Sequence, residues 1–83
     1  MTVLLERIIN LFNDDKWEYA QQVWDILQRS YQYIGGFKTA SSIEELIGKS
    51  GMWKLVIRNG NISALQIYKD QYGRKLIASG TDG

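Results

Sequence analysis

The stretch Met52-Trp53-Lys54-Leu55-Val56-Ile57-Arg58-Asn59-Gly60-Asn61-Ile62-Ser63-Ala64-Leu65-Gln66-Ile67-Tyr68-Lys69 decides how this 83-residue chain is read. Asn59-Gly60 is a two-residue hairpin signal, because a type I′ turn needs positive φ at both central positions and these residues tolerate it best. The flanking runs, Trp53 to Ile57 and Ile62 to Lys69, are rich in β-branched and aromatic residues and read as paired strands. Counted from the turn, Ile57 is expected opposite Ile62, Leu55 opposite Ala64 and Trp53 opposite Gln66, with Val56, Ser63, Leu65 and Ile67 on the other side. Both faces of such a sheet carry apolar side chains, so both call for cover. Asp70 to Gly73 makes a second turn, and Arg74 to Ser79 returns as a third strand whose outer edge is expected to be unpaired.

Upstream of the hairpin, Ser41 and Ser42 are each followed three residues later by Glu44 and Glu45, a capping-box pattern in either register. It predicts a short helix from Ile43 to about Gly48. Ile34-Gly35-Gly36-Phe37 places two permissive residues between apolar ones, which suggests a chain reversal with close backbone approach. The stretch lacks the Walker pattern and the spaced glycines of a dinucleotide loop, so a phosphate cradle is the weaker reading. Trp17, Ala20, Val23, Trp24, Leu27 and Tyr31 form one apolar stripe and predict a helix from about Lys16 to Tyr31, with Asn13, Asp14 and Asp15 supplying its start. Leu4, Leu5, Ile8, Ile9, Leu11 and Phe12 also recur at helical spacing after Thr2, so a first helix is expected there. The expected fold is therefore α+β, with two or three amino-terminal helices packed on a three-stranded antiparallel β-meander. A single domain over 1–83 is expected, helical over 1–51 and stranded over 52–83.

Composition bounds the chemistry. With 45% hydrophobic and 12% aromatic residues the chain is globular, and at this length it needs its aromatics, or another chain, to complete a core. It has no histidine, which removes the usual neutral-pH proton shuttle and the commonest metal ligand. It has no cysteine either, so neither a thiol nucleophile nor a thiolate metal site is possible. No apolar run approaches the ~20 residues of a membrane span, no secretory signal pattern is visible, and a cytoplasmic location is the expectation. Residues 1–51 carry a net charge of −2 and residues 52–83 a net charge of +3. That asymmetry is too modest to point to nucleic acid without a basic cluster or interleaved stacking aromatics.

A family resemblance rests on particular residues. Val23-Trp24-Asp25-Ile26-Leu27-Gln28-Arg29-Ser30-Tyr31, then Ile34-Gly35-Gly36-Phe37, Trp53-Lys54-Leu55, Ile67-Tyr68-Lys69-Asp70, Gly73-Arg74-Lys75 and Gly80-Thr81-Asp82-Gly83 resemble the amino-terminal half of GNAT-like proteins of large tailed bacteriophages. The resemblance covers 17–83. It implies helices that shape an acceptor-substrate side and a meander that leads into a central strand. In that acyltransferase superfamily the pyrophosphate of acetyl-CoA is held afterwards by a glycine-containing loop and a helix amino terminus. Neither that loop nor the late tyrosine that often serves as general acid has a counterpart here. The resemblance thus implies half of an acyltransferase fold with no cofactor of its own, acetyl-CoA entering only if a missing half is supplied. It also implies the host cell cytoplasm or a virion as the location.

The candidate residues follow from both readings. Tyr31, Tyr33, Gly35, Gly36 and Phe37 are candidates for an acceptor pocket or an interface, and Tyr68 for a proton donor, although core or interface packing explains such aromatics more simply. Glu44 with Glu45 could act as an acid/base pair, but capping accounts for them better. Asp14 with Asp15 could meet a hard cation, but a helix start accounts for them. Arg74, Lys75, Leu76, Ile77 and Ala78 are the candidate interface edge. No catalytic residue and no metal ligand is assigned. The expected function is a non-catalytic GNAT-like interaction or structural module, such as a phage accessory or virion component, with a protein partner or a second copy as its occupant. The alternatives are the acceptor-side portion of an acetyl-CoA-dependent N-acyltransferase and a small nucleic-acid-associated protein.

Overall fold

The computed structural model describes residues 4–29, the backbone of 31–33, and residues 40–81. The elements run β1 (Leu4–Asn10), α1 (Trp17–Arg29), β2 (Tyr31–Tyr33), α2 (Ile43–Lys49), β3 (Met52–Arg58), β4 (Asn61–Tyr68) and β5 (Leu76–Thr81). The fold is α+β and the meander is present as β3-β4-β5. It is the middle of a five-stranded sheet in the order β1-β3-β4-β5-β2, every neighbouring pair antiparallel.

Leu4–Asn10 corrects the expected first helix. The segment pairs along its whole length with β3, Leu5 opposite Ile57, Arg7 opposite Leu55 and Ile9 opposite Trp53. A helical stripe would bury Leu4, Leu5, Ile8 and Ile9 together. Instead Ile9 is fully buried while its neighbour Ile8 is 54% exposed, the two-residue period of a strand. The β-branched pair Ile8-Ile9 suits this conformation better than a helix.

The β3–β4 hairpin turns where expected. Asn59 (φ 52°) and Gly60 (φ 81°) both take the left-handed conformation, and Ile57 meets Ile62. Beyond that pair the register departs from simple counting. Val56 faces Ala64, Leu55 faces Leu65 and Trp53 faces Ile67, so Ser63 is an extra residue bulged out of β4. The bulge has a packing reason. It moves Leu65 and Ile67 onto the same face as Ile62, Trp53, Leu55 and Ile57, and all six are buried. One face is thereby made almost wholly apolar, while the other carries Met52, Val56 and Ala64 among polar residues, so both faces hold apolar side chains but unequally. Above the bulge, the Ile62 N–H is accepted by Gln22 Oε1 of α1 at 2.9 Å, which ties helix to strand. A second bulge, at Ile77, lies between the pairs Ile67–Ala78 and Tyr68–Leu76.

α1 and α2 lie together on the apolar face. α1 buries Ala20, Val23, Ile26 and Leu27 against β4 and β5, and α2 buries Leu46, with Ile43 and Ile47 packed at the margin. Burying each large apolar side chain contributes about 1.5–3 kcal/mol. Asp15 Oδ1 accepts the Trp17 N–H at 3.0 Å at the start of α1. Trp17 itself is exposed and Trp24 only half-buried, so the stripe runs through Ile26 rather than through Trp17. The capping box at α2 forms with Ser42 as N-cap: its Oγ accepts the Glu45 N–H at 3.1 Å, while the Glu45 carboxylate accepts the Ser41 N–H and hydroxyl.

Tyr31 ends no helix: it opens β2, the outer neighbour of β5, with Tyr31 opposite Gly80 and Tyr33 opposite Ala78. The third strand of the meander is therefore not the edge of the sheet over 78–80. Arg74 and Lys75 precede β5 in the turn, and Ile77 and Ala78 are buried, which corrects the expected edge strand.

Candidate functional site

The sequence candidates do not converge on one site among the described residues. Gly35, Gly36 and Phe37 lie outside those residues. Tyr31 and Tyr33 are on β2, separated by β5 from Tyr68 on β4. Tyr68 is on the sheet face away from the helices, in register with Met52 and Leu76, and its hydroxyl donates to Gln66 Oε1 at 2.8 Å. Arg74 is held by Asp70, Nε to Oδ2 at 3.1 Å, and its guanidinium lies 5.0 Å from the Tyr72 ring centre. Backbone N–H groups of Arg74 and Tyr72, together with that guanidinium, keep the Asp70 carboxyl below its ordinary pKa. Glu44 and Glu45 divide as capping predicts. Lys49, at 2.8 Å, and the hydroxyl and N–H of Ser41 lower the Glu45 carboxyl to about 2. Asp14 accepts the Asn10 N–H and closes the turn after β1.

The surface that sequence reasoning misses is β1. Among the described residues it is the long free edge of the sheet, and three of its apolar residues are open, on both faces: Leu4, Leu5 and Ile8 are each more than half exposed, and Phe12 and Trp17 follow in the turn and at the start of α1. The backbone polarity of this edge can be read from its end. Asn10 donates its N–H to Asp14 Oδ2 at 2.9 Å and its carbonyl accepts from Asn13 and Asp14, so both groups point away from β3. The next amide, Leu11 N–H, points the other way, to the Gly51 carbonyl at 3.1 Å. Strand alternation then turns the N–H and C=O of Ile8, Glu6 and Leu4 outward, where no strand among the described residues meets them.

The charges on this edge are neutralised within the chain. Glu6 Oε1 is 3.5 Å from Lys54 Nζ on the uncovered face. On the helix side, Arg7 Nη2 is 3.0 Å from Glu18 Oε2, and the guanidinium lies 5.2 Å from the Tyr19 ring centre. Glu18 and the Tyr19 hydroxyl hold Arg7 still more firmly protonated than usual. Leu5, Arg7, Tyr19, Ile57, Asn59 and Gly60 border an open pocket of about 320 Å³ beside this edge. None of the candidate binding or edge residues named from sequence lines it.

The signal that could have found the edge is the pair Glu6-Arg7 inside an apolar run. Charged residues midway along a strand are a common device at exposed sheet edges, and a helix gives them no such role. Among the described residues, no cluster of acidic side chains has the makings of a metal site, and no helix is long and apolar enough to cross a membrane. No protein-family model, curated protein sequence or solved structure matches the chain.

Proposed function

We propose that this chain is a non-catalytic protein-interaction module whose contact surface is the open edge of β1. The observation that carries the reading is the coincidence on one strand of outward backbone donors and acceptors at Leu4, Glu6 and Ile8 with apolar side chains left open to water. A strand of that kind binds other chains by extending the sheet, backbone hydrogen bonds giving affinity and alternate side chains giving selectivity. Left bare, it is a hazard for indiscriminate pairing. The resemblance to GNAT-like phage proteins fits inside this proposal: the helices and meander serve as a scaffold, in the host cytoplasm or a virion, that holds the edge in place.

The test is a photo-reactive amino acid placed at position 8 in the full chain, with exposed position 44 on α2 as the control. Irradiation in the native host is expected to join position 8, and not position 44, to a protein. The absence of any adduct specific to position 8 would overturn the reading.

A further inference from the structure

Resting on that reading, we infer that the occupant of the β1 edge is a second copy of this chain, paired antiparallel across a two-fold axis at Glu6 to make one continuous sheet. A two-fold axis that joins two edge strands in one antiparallel sheet stands perpendicular to it, so outward residues meet outward residues. With the axis at Glu6, Leu4 faces Ile8 of the second copy, Glu6 faces Glu6, and Ile8 faces Leu4. Every outward N–H and C=O of β1 is then used, in about six backbone hydrogen bonds. Moving the register two residues one way sets Leu4 against Asn10, whose N–H and C=O are occupied by the turn. Moving it the other way leaves Ile8 without a partner inside β1.

The side chains agree with the central register. On the uncovered face, Leu4–Ile8 contacts flank the axis on both sides. On the helix face, Leu5 meets the stem of Arg7, whose charged end is already held by Glu18. Each Glu6 brings its own ammonium from Lys54, and the chain carries a net charge of only +1, so two copies meet with little long-range repulsion. Covering the open parts of Leu4, Leu5 and Ile8 with the edge backbone removes on the order of 400 Å² per copy, about half of a standard interface. The dimer is therefore reversible, forming in the micromolar to millimolar range.

Sedimentation of the full chain from low micromolar to about 1 mM tests this. A monomer–dimer equilibrium is expected. Ile8→Lys, and independently Leu4→Lys, should abolish it while leaving circular dichroism and the unfolding midpoint of the monomer unchanged. Glu6→Gln removes the one like-charge opposition that this register creates, and should tighten the dimer about twofold to fivefold. A monomer throughout, a dimer indifferent to both lysine variants, or a Glu6→Gln dimer no tighter than the parent would each overturn the pairing. A position-8 photo-adduct to a different protein, with no self-adduct, would overturn the second copy as occupant and leave the interaction reading standing.

Discussion

Gly51 lies so close to Asp70 that a Cβ built on it would stand 2.5 Å from the Asp70 carbonyl carbon and 2.8 Å from the Gln71 nitrogen. The approach is backbone against backbone, so no side chain can swing aside. It brings the Gly51 N–H to the Tyr68 carbonyl at 2.9 Å while the Gly51 carbonyl receives Leu11, linking β1, β3 and β4 through one residue.

Gly51→Ala is accordingly expected to destabilise the chain by about 1–3 kcal/mol, the usual cost of forcing extra volume into a packed site. Gly48 supplies the contrast. It lies within α2 with nothing within 4 Å of its would-be Cβ, so Gly48→Ala is expected to stabilise by about 0.5–1 kcal/mol. Paired urea titrations measure both.

The strand character of β1 can be read from two adjacent residues. Ile9→Ala opens a cavity in the core beside Trp53 and should cost about 2–5 kcal/mol. Ile8→Ala, measured on dilute protein, should stay within about 0.5 kcal/mol of the parent. Equal effects at the two positions would mean that they share a face, as in a helix.

Gln22→Ala leaves the half-buried Ile62 N–H beside the Ser63 bulge without its acceptor. A loss of about 1–3 kcal/mol is expected. Hydrogen exchange should show the Ile62 amide losing protection before those of Leu55 or Leu65, which lie deeper in the ladder.

Glu45 makes α2 sensitive to acid. Its carboxyl is lowered from 4.5 to about 2 in the folded chain by Lys49 first and then by Ser41. A depressed folded-state pKa gives stability that is complete above the unfolded-state value and fades as pH falls through the folded one. Stability should therefore decline between about pH 5 and 2, and Asp70, also lowered, acts in the same direction. In Glu45→Gln, denaturation midpoints followed against pH should start lower at neutrality and fall less steeply in acid; an unchanged slope would exclude this role for the cap.

How much of this is legible in the sequence depends on the range of each interaction. The hairpin is legible because Asn59 and Gly60 carry its geometry themselves, and α2 is legible because its capping bonds are local, Ser42 accepting the Glu45 N–H and Glu45 accepting the Ser41 N–H. β1 is not, because Leu4, Leu5, Ile8 and Ile9 fit a helical stripe as well as a strand, and the partner that decides between them is β3, far away in sequence. The Ser63 bulge leaves a trace that strict alternation overlooks: Ile62, Leu65 and Ile67 fall on one face only if a residue is skipped between the first two. The candidate edge moved from β5 to β1 for a related reason, since the three-residue β2 is too short to announce itself against its aromatic neighbours.

The strand order has a consequence for how the chain comes to be folded. Both outer strands, β1 and β2, are synthesised before any strand of the meander that they flank. Leu4, Leu5, Ile8 and Ile9 therefore leave the ribosome well ahead of Met52–Arg58, the segment that shelters Ile9 and orders the rest. The local β3–β4 hairpin can close quickly once made, whereas docking β1 onto it must first close a loop of more than 40 residues. During that interval β3 is itself an edge, with Trp53, Leu55 and Ile57 uncovered on that side until β1 docks.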